Sequence, residues 1–341
     1  MIFVTGATGF LGSHLLHDLV LGDKPVRALY RDKSKHGFVK KIFQYYHDDV
    51  EGLLNKIEWV QGDLMDYQGL TENLKGVDQV YHCAGLISFH VSDIPAMREI
   101  NVEGTANLVN ACLELNISRL CHVSSISALG ISQEGALIDE NLLWNQGSAA
   151  SAYSVSKFRG EMEVWRGVYE GLRAVIVNPA VIIGPGMWHG SASGLFQQID
   201  KGLKYYPPGA TGYVDVRDVV KSMIRLTNSE ISGERFIISA ENKTHREILR
   251  QIAEGINRPV PDRPLTPWLS MFICNLEKLR SLITGKPVRI TRTSVQIAEV
   301  IYSYTNQKIT ETLSFVFLPL HESIDFSSRC FKNEFRSGYS N

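Results

Sequence analysis

IFVTGATGFLG (residues 2–12) decides how the rest of the chain is read. The β-branched run IFVT reads as a strand, and glycines at 6, 9 and 12 lead into a helical pattern over 11–21. The spacing is G-x-x-G-x-x-G, a departure from G-x-G-x-x-G, but the physical demands are shared. The chain must turn tightly, let a ligand close to its backbone, and pack helix closely on sheet. An anion at such a turn meets unpaired N–H groups at the helix N-terminus. Standing between a first strand and a first helix, the turn predicts a dinucleotide site built from Gly6, Thr8, Gly9, Phe10, Leu11 and Gly12. Alone, the glycines also fit a plain strand-to-helix loop.

Working outward, short apolar runs at 26–30, 57–61, 79–83, 119–125 and 173–178 alternate with helical patterns at 37–54, 67–75, 94–116 and 150–170. That order predicts an α/β fold, a Rossmann-type doubly wound parallel sheet with helices on both faces. After about residue 180 glycine and proline cluster in 184–194 and 205–212, and the remainder reads as a smaller, mixed, mostly helical lobe. The expected division is 1–180 for the dinucleotide domain, with its sheet open to completion from 213–240. Residues 181–330 form the substrate lobe interleaved with it, and 331–341 a frayed tail.

Composition narrows the function classes. A net charge of −1 gives no global pull toward nucleic acid or an anionic membrane. Five scattered cysteines without a C-x-x-C pair read as buried thiols of a reducing compartment, and no clustered His/Cys spacing suggests a metal site. A strand beginning within a residue of Met1 argues against a signal peptide, so a cytoplasmic protein is expected. No apolar stretch reaches the roughly 18–20 residues of a membrane span. Residues 265–283 come closest and read as an amphipathic helix that packs on the protein or a partner, or lies on a membrane.

The end of the second strand, ALYRDKSK (28–35), bears on the dinucleotide. An acidic residue there suits the ribose hydroxyls of NAD, whereas arginine suits a 2′-phosphate. Arg31 comes first, so NADP(H) is favoured over NAD(H), with Asp32 on the ribose as the alternative. Tyr153 and Lys157 stand one helical turn apart in YSVSK, a spacing that puts an acid beside a cation able to lower its pKa. Tyr304 and Lys308 have the same spacing, so the pair alone proves nothing.

TGATGFLG, GDL (62–64), HCAG (82–85), NVEGTANLVNAC (101–112), VSSISALG (123–130), YSVSK and NPAVIIGPG (178–186) occur together and in order. In this the chain resembles the extended short-chain dehydrogenase/reductase superfamily, or NAD-dependent epimerase/dehydratase family, from residue 1 to about 240. HCAGLISF looks most like its dihydroflavonol reductase and 3-beta-hydroxysteroid dehydrogenase branch. The resemblance implies Tyr153 as catalytic acid and Lys157 as its tuner and a ribose ligand. Of Ser124, Ser125 and Ser127 it selects Ser125 to polarise the carbonyl, leaving Ser124 nearer the coenzyme or structural. It further implies Asp63 and Leu64 at the adenine, Ala84 and Gly85 beside the coenzyme, Pro179 against the nicotinamide, and a homodimer through 94–116 and 150–170. Asn101 is expected to be structural. His82, His90 and His122 are read as satisfied core or loop residues, and Arg159, Glu161 and Glu163 as solvated or dimer-face charges.

The expected activity is reduction of a ketone or aldehyde on an apolar small molecule. Phe89, Trp144, Met187, Trp188, Phe196 and Tyr205 are the pocket aromatics and apolars. The alternatives are a nucleotide-sugar epimerase retaining NAD, with Asn178 on the sugar-nucleotide phosphate, and a coenzyme-sensing protein without catalysis. An acidic pair beside the serine would mark a dehydratase, but Ile126 and Ser127 follow Ser125.

Overall fold

The computed structural model describes residues 1–130, 136–145, 151–186, 188, 194–284 and 292–336. Its central sheet has seven strands: β1 (Ile2–Thr5), β2 (Val26–Tyr30), β3 (Ile57–Gln61), β4 (Gln79–His82), β5 (Arg119–Val123), β6 (Ala174–Pro179) and β7 (Glu234–Ile238). They are ordered β7-β6-β5-β4-β1-β2-β3, and every pairing is parallel. Strand order reverses between β1 and β4, the crevice where open α/β sheets bind ligands.

Side-chain alternation explains why both faces are covered. Ile2, Val4, Tyr81, Cys121, Val175 and Val177 enter one core, beside helix α1 (Phe10–Val20). Phe3, Val80, Leu120, Ala174 and Ile176 enter the opposite core, beside α2 (Gly104–Glu114) and α3 (Ala152–Tyr169).

The sheet is completed by β7 alone. Ala210–Asp215 instead joins Val181–Ile183 and Glu241–Thr244 in a separate three-stranded sheet of the lobe. The helix expected over 37–54 is two, His36–Gln44 and Glu51–Leu54, and that over 94–116 is interrupted by a π-helical turn at Glu99–Glu103. The tail reads differently too: helix α4 (Leu320–Arg336) carries through most of it, because Phe331 is buried against Trp188. Residues 337–341 lie outside the described residues. The amphipathic segment forms a helix over Pro267–Thr284 that buries Ser270 and Cys274 and exposes Trp268, Met271, Phe272 and Leu276. Among the described residues no helix is long and apolar enough to cross a membrane.

Candidate active site

The glycine turn lies at the β1/β4 crevice. Gly6 adopts φ +64°, which an L side chain rarely takes, and a Cβ there would run into the backbone of Cys83 and Ala84. A Cβ on Gly12 would meet the Gly6 carbonyl oxygen. Gly9 caps α1 with no side-chain bond, and Ser13 ties the turn down by donating to the Gly9 carbonyl at 2.7 Å. The first-turn N–H groups of Phe10, Leu11 and Gly12, following Thr8, are left for a ligand. This cradle of glycines, with a helix dipole behind it, fits a pyrophosphate.

Across the crevice, Ala84 N–H lies 3.4 Å from the Thr5 hydroxyl. Gly85 faces Lys157, whose Nζ would be 3.7 Å from a Cβ there. Asn101 is buried and fully engaged: it accepts from Leu86 N–H at 2.7 Å and donates to the Leu86 carbonyl and Ser156 hydroxyl at 2.9 Å. It clamps the loop after β4, as its structural reading implied. Leu64 is buried, its carbonyl held by Asn107 at 2.9 Å. Arg31 is 61% exposed, with its guanidinium 3.8 Å from Asp63. Asp32 caps the short turn Lys33–Lys35 by accepting from Ser34 N–H at 2.9 Å, so its carboxylate is engaged within its own loop.

Ser125 follows β5 and caps the short turn Ile126–Ala128 by accepting from Ser127 N–H at 3.1 Å, with its hydroxyl near the buried phenol of Tyr153. Burial pushes the Tyr153 phenol above its ordinary value, and the Ser125 bond pulls it back. Lys157 is buried and donates to the Val123 carbonyl at 2.8 Å. Burial pulls its pKa down to about 8, opposed by the Glu161 carboxylate. Ser125 is the side chain that lowers the phenol, and the Lys157 ammonium is anchored on the β5 backbone. His82 is satisfied by Thr5 at 2.7 Å and Thr105 at 3.0 Å, whereas both His122 ring nitrogens lack a partner among the described residues. Burial and then Lys157 pull His82 down to about 3 and His122 well below its ordinary value, so both rings are neutral.

Three readings are corrected here. Glu161 is 0% exposed, not a surface charge. It accepts from Ser124 at 2.6 Å, Asn178 at 2.9 Å, Arg235 at 3.1 Å and Trp165 at 3.3 Å. The Ser124 hydroxyl is thereby committed to Glu161, and Asn178 faces inward, donating also to the Ser125 carbonyl at 3.0 Å. Among the aromatics, Trp188 and Phe196 belong to the lobe core, packed with Phe331, because the lobe needs its own apolar centre. Trp144 stacks on Phe158 at 4.5 Å, and Tyr205 sits half-buried in a short strand. Met187 lies outside the described residues. Phe89, 41% exposed, stands edge-on to Tyr153 with centroids 6.1 Å apart. On the same loop Ile87 and Val91 are 66% and 81% exposed. Pro179 is buried at the end of β6. Tyr304 and Lys308 stay apart from all this: Tyr304 is core, and Lys308 binds Glu234 at 2.5 Å.

The NAD dependent epimerase/dehydratase family model matches residues 2–239. Sterol demethylase protein B of Methylococcus capsulatus is 30% identical over 276 residues, 80% of this chain and 80% of that protein. Cinnamoyl-CoA reductase 1 of Petunia hybrida is 27% identical over 277 residues, 78% of this chain and 79% of that protein. The crystal structure of gox2253 superposes with a TM-score of 0.80 at 26% identity, covering 98% of this chain and 99% of that one.

Proposed function

The chain belongs to the NAD-dependent epimerase/dehydratase family of extended short-chain dehydrogenase/reductase enzymes, and we propose that it reduces the ketone or aldehyde of an apolar, ring-bearing small molecule with NADPH. One observation carries this reading. Exposed Phe89 stands edge-on to Tyr153, and Ile87 and Val91, close to it in sequence, are exposed too, apolar surface suited to an apolar ligand rather than a charged nucleotide sugar. The relatives named for sterol and cinnamoyl chemistry support it. So does Asn178, whose amide donates inward to Glu161 and the Ser125 carbonyl, where an epimerase would turn it to a sugar-nucleotide phosphate.

In this reading the Gly6–Gly12 turn holds the pyrophosphate, Asp63 and Leu64 flank the adenine, and Ala84, Gly85 and Pro179 make room for the nicotinamide half. The coenzyme supplies the hydride when bound. Ser125 donates a hydrogen bond to the substrate carbonyl oxygen, stabilising the alkoxide that develops there. Tyr153 gives that oxygen its proton. Lys157, one turn along, sets the field in which the phenolate forms and reaches the nicotinamide ribose. The paired helices α2 and α3, where Met162 and Tyr169 remain exposed, serve as the homodimer face.

NADPH preference rests on Arg31, exposed 3.8 Å from Asp63, next to Asp32, one of whose carboxylate oxygens accepts from Ser34 N–H. Fluorescence titration is expected to show NADPH binding at least about tenfold tighter than NADH, and Arg31→Ser to remove that difference. NAD retained at one equivalent per chain after purification, with no response to NADPH, contradicts the proposal and favours an epimerase.

A further inference from the structure

Glu161 stands at i+4 from Lys157 and i+8 from Tyr153, on one stripe of α3. Its Oε2 receives the Ser124 hydroxyl and the Asn178 amide; Oε1 receives the Arg235 guanidinium and the Trp165 indole. Asn178 also donates to the backbone carbonyl of Ser125. Ser125 is thus gripped from both sides, through the side chain of the residue before it and through its own carbonyl. Both grips end on the same carboxylate oxygen. Arg235 in turn donates to the carbonyls of Glu140 and Leu142, and the Glu140 carboxylate accepts from Ile237 N–H. One buried charge therefore joins α3 to the ends of β5 and β6 and to the middle of β7.

A buried ion pair contributes little net stability, because desolvation offsets its attraction. This one is built where it fixes geometry. We propose that Glu161, acting with Asn178, is a positioning residue that sets the Ser125 hydroxyl against the Tyr153 phenol and supplies the negative charge behind Lys157. The inference rests on the reductase reading for its kinetic part only. The charged and titratable groups around this site are Lys157 and Tyr153 on α3, Arg235 on β7, the buried Glu140 beyond Arg235, Cys83 after β4, and His82 and His122 on β4 and β5. Both histidines are neutral, so Glu161 is the anion facing Lys157, with Arg235 beyond it. Removing that negative charge lowers the pKa of any group nearby that titrates, phenol and ammonium alike. The alkaline limb of the reductive rate, where Tyr153 loses its proton or Lys157 its charge, then moves to lower pH.

Wild type, Glu161→Gln, Glu161→Asp and Asn178→Ala are compared for NADPH-dependent reduction of trans-cinnamaldehyde across pH. The Tyr153 phenol is titrated separately by ultraviolet difference against a Tyr153→Phe partner of each protein, which needs no substrate. Asn178→Ala, which leaves the charge in place, is expected to lower kcat on the order of 10- to 100-fold with the limb and NADPH affinity unmoved. Glu161→Gln is expected to move both the limb and the phenol titration down by about one pH unit, and Glu161→Asp to restore them. Loss of activity in Glu161→Gln with an unmoved phenol titration overturns the electrostatic role, and wild-type kcat in Asn178→Ala overturns the positioning role. A wild type that binds NADPH but leaves cinnamaldehyde untouched counts against the reductase reading, and the phenol titration then decides the inference by itself. Should Glu161→Gln fail to fold, Asn178→Ala and Glu161→Asp decide it.

Discussion

His14, His82 and His122 are buried histidines whose surroundings hold them neutral. Burial pulls His14 down to about 4 and His82 to about 3, from an ordinary value of 6.5. The unfolded chain protonates them first, so their contribution to stability is complete above about pH 6.5 and is lost as pH falls toward 4 and 3. Each proton taken up on unfolding gives a slope of about 1.4 kcal/mol per pH unit. Asp218, pushed up to about 6 by burial, works the opposite way and offsets one of the three. Urea unfolding is therefore expected to show stability falling from pH 7 to pH 5; a flat profile contradicts neutral burial of the histidines. That Ser125, Tyr153 and Lys157 lie together was legible because they sit in ordered motifs, which the pair Tyr304 and Lys308 does not. Glu161 was not, since a glutamate looks solvated until Arg235, distant in sequence, is known to face it. Its signal was present in the i+4 spacing from Lys157, which put three polar groups on one stripe.

Helix α3 reaches the π turn through Gly160, where a Cβ would run into the Asn101 carbonyl. The π turn widens the chain just where Asn101 must hold both the Leu86 loop and Ser156, so the close approach keeps Tyr153 and Lys157 registered against the loop after β4. Gly160→Ala is expected to cost roughly 1–3 kcal/mol by denaturant unfolding and to lower turnover as well; unchanged stability would mean that the two elements have room to spare. Apolar periodicity located the six strands expected before residue 180 to within two residues at each end, because parallel strands buried on both faces are short apolar runs. It missed the π turn and the break after Gln44, since neither changes the spacing of apolar residues enough to be seen.

At the scale of the whole molecule, the fold was legible as alternating strands and helices, while the division of labour after residue 180 was not. Which part of 213–240 completes the main sheet depends on contacts between residues far apart in sequence. Ala210–Asp215 went to the lobe, and Trp188 and Phe196, read as pocket walls, became the lobe's core. The exposed aromatic that remains beside Tyr153 is Phe89, on the loop after β4. The most direct test of this account is NADPH consumption on adding apolar aldehydes and ketones, cinnamaldehyde and a sterol ketone among them, to wild type and Tyr153→Phe. Turnover by wild type, with kcat reduced at least about a hundredfold in Tyr153→Phe and NADPH affinity retained, is the expected result. Full turnover by Tyr153→Phe, or wild type inert toward every apolar carbonyl while holding NAD through purification, contradicts it.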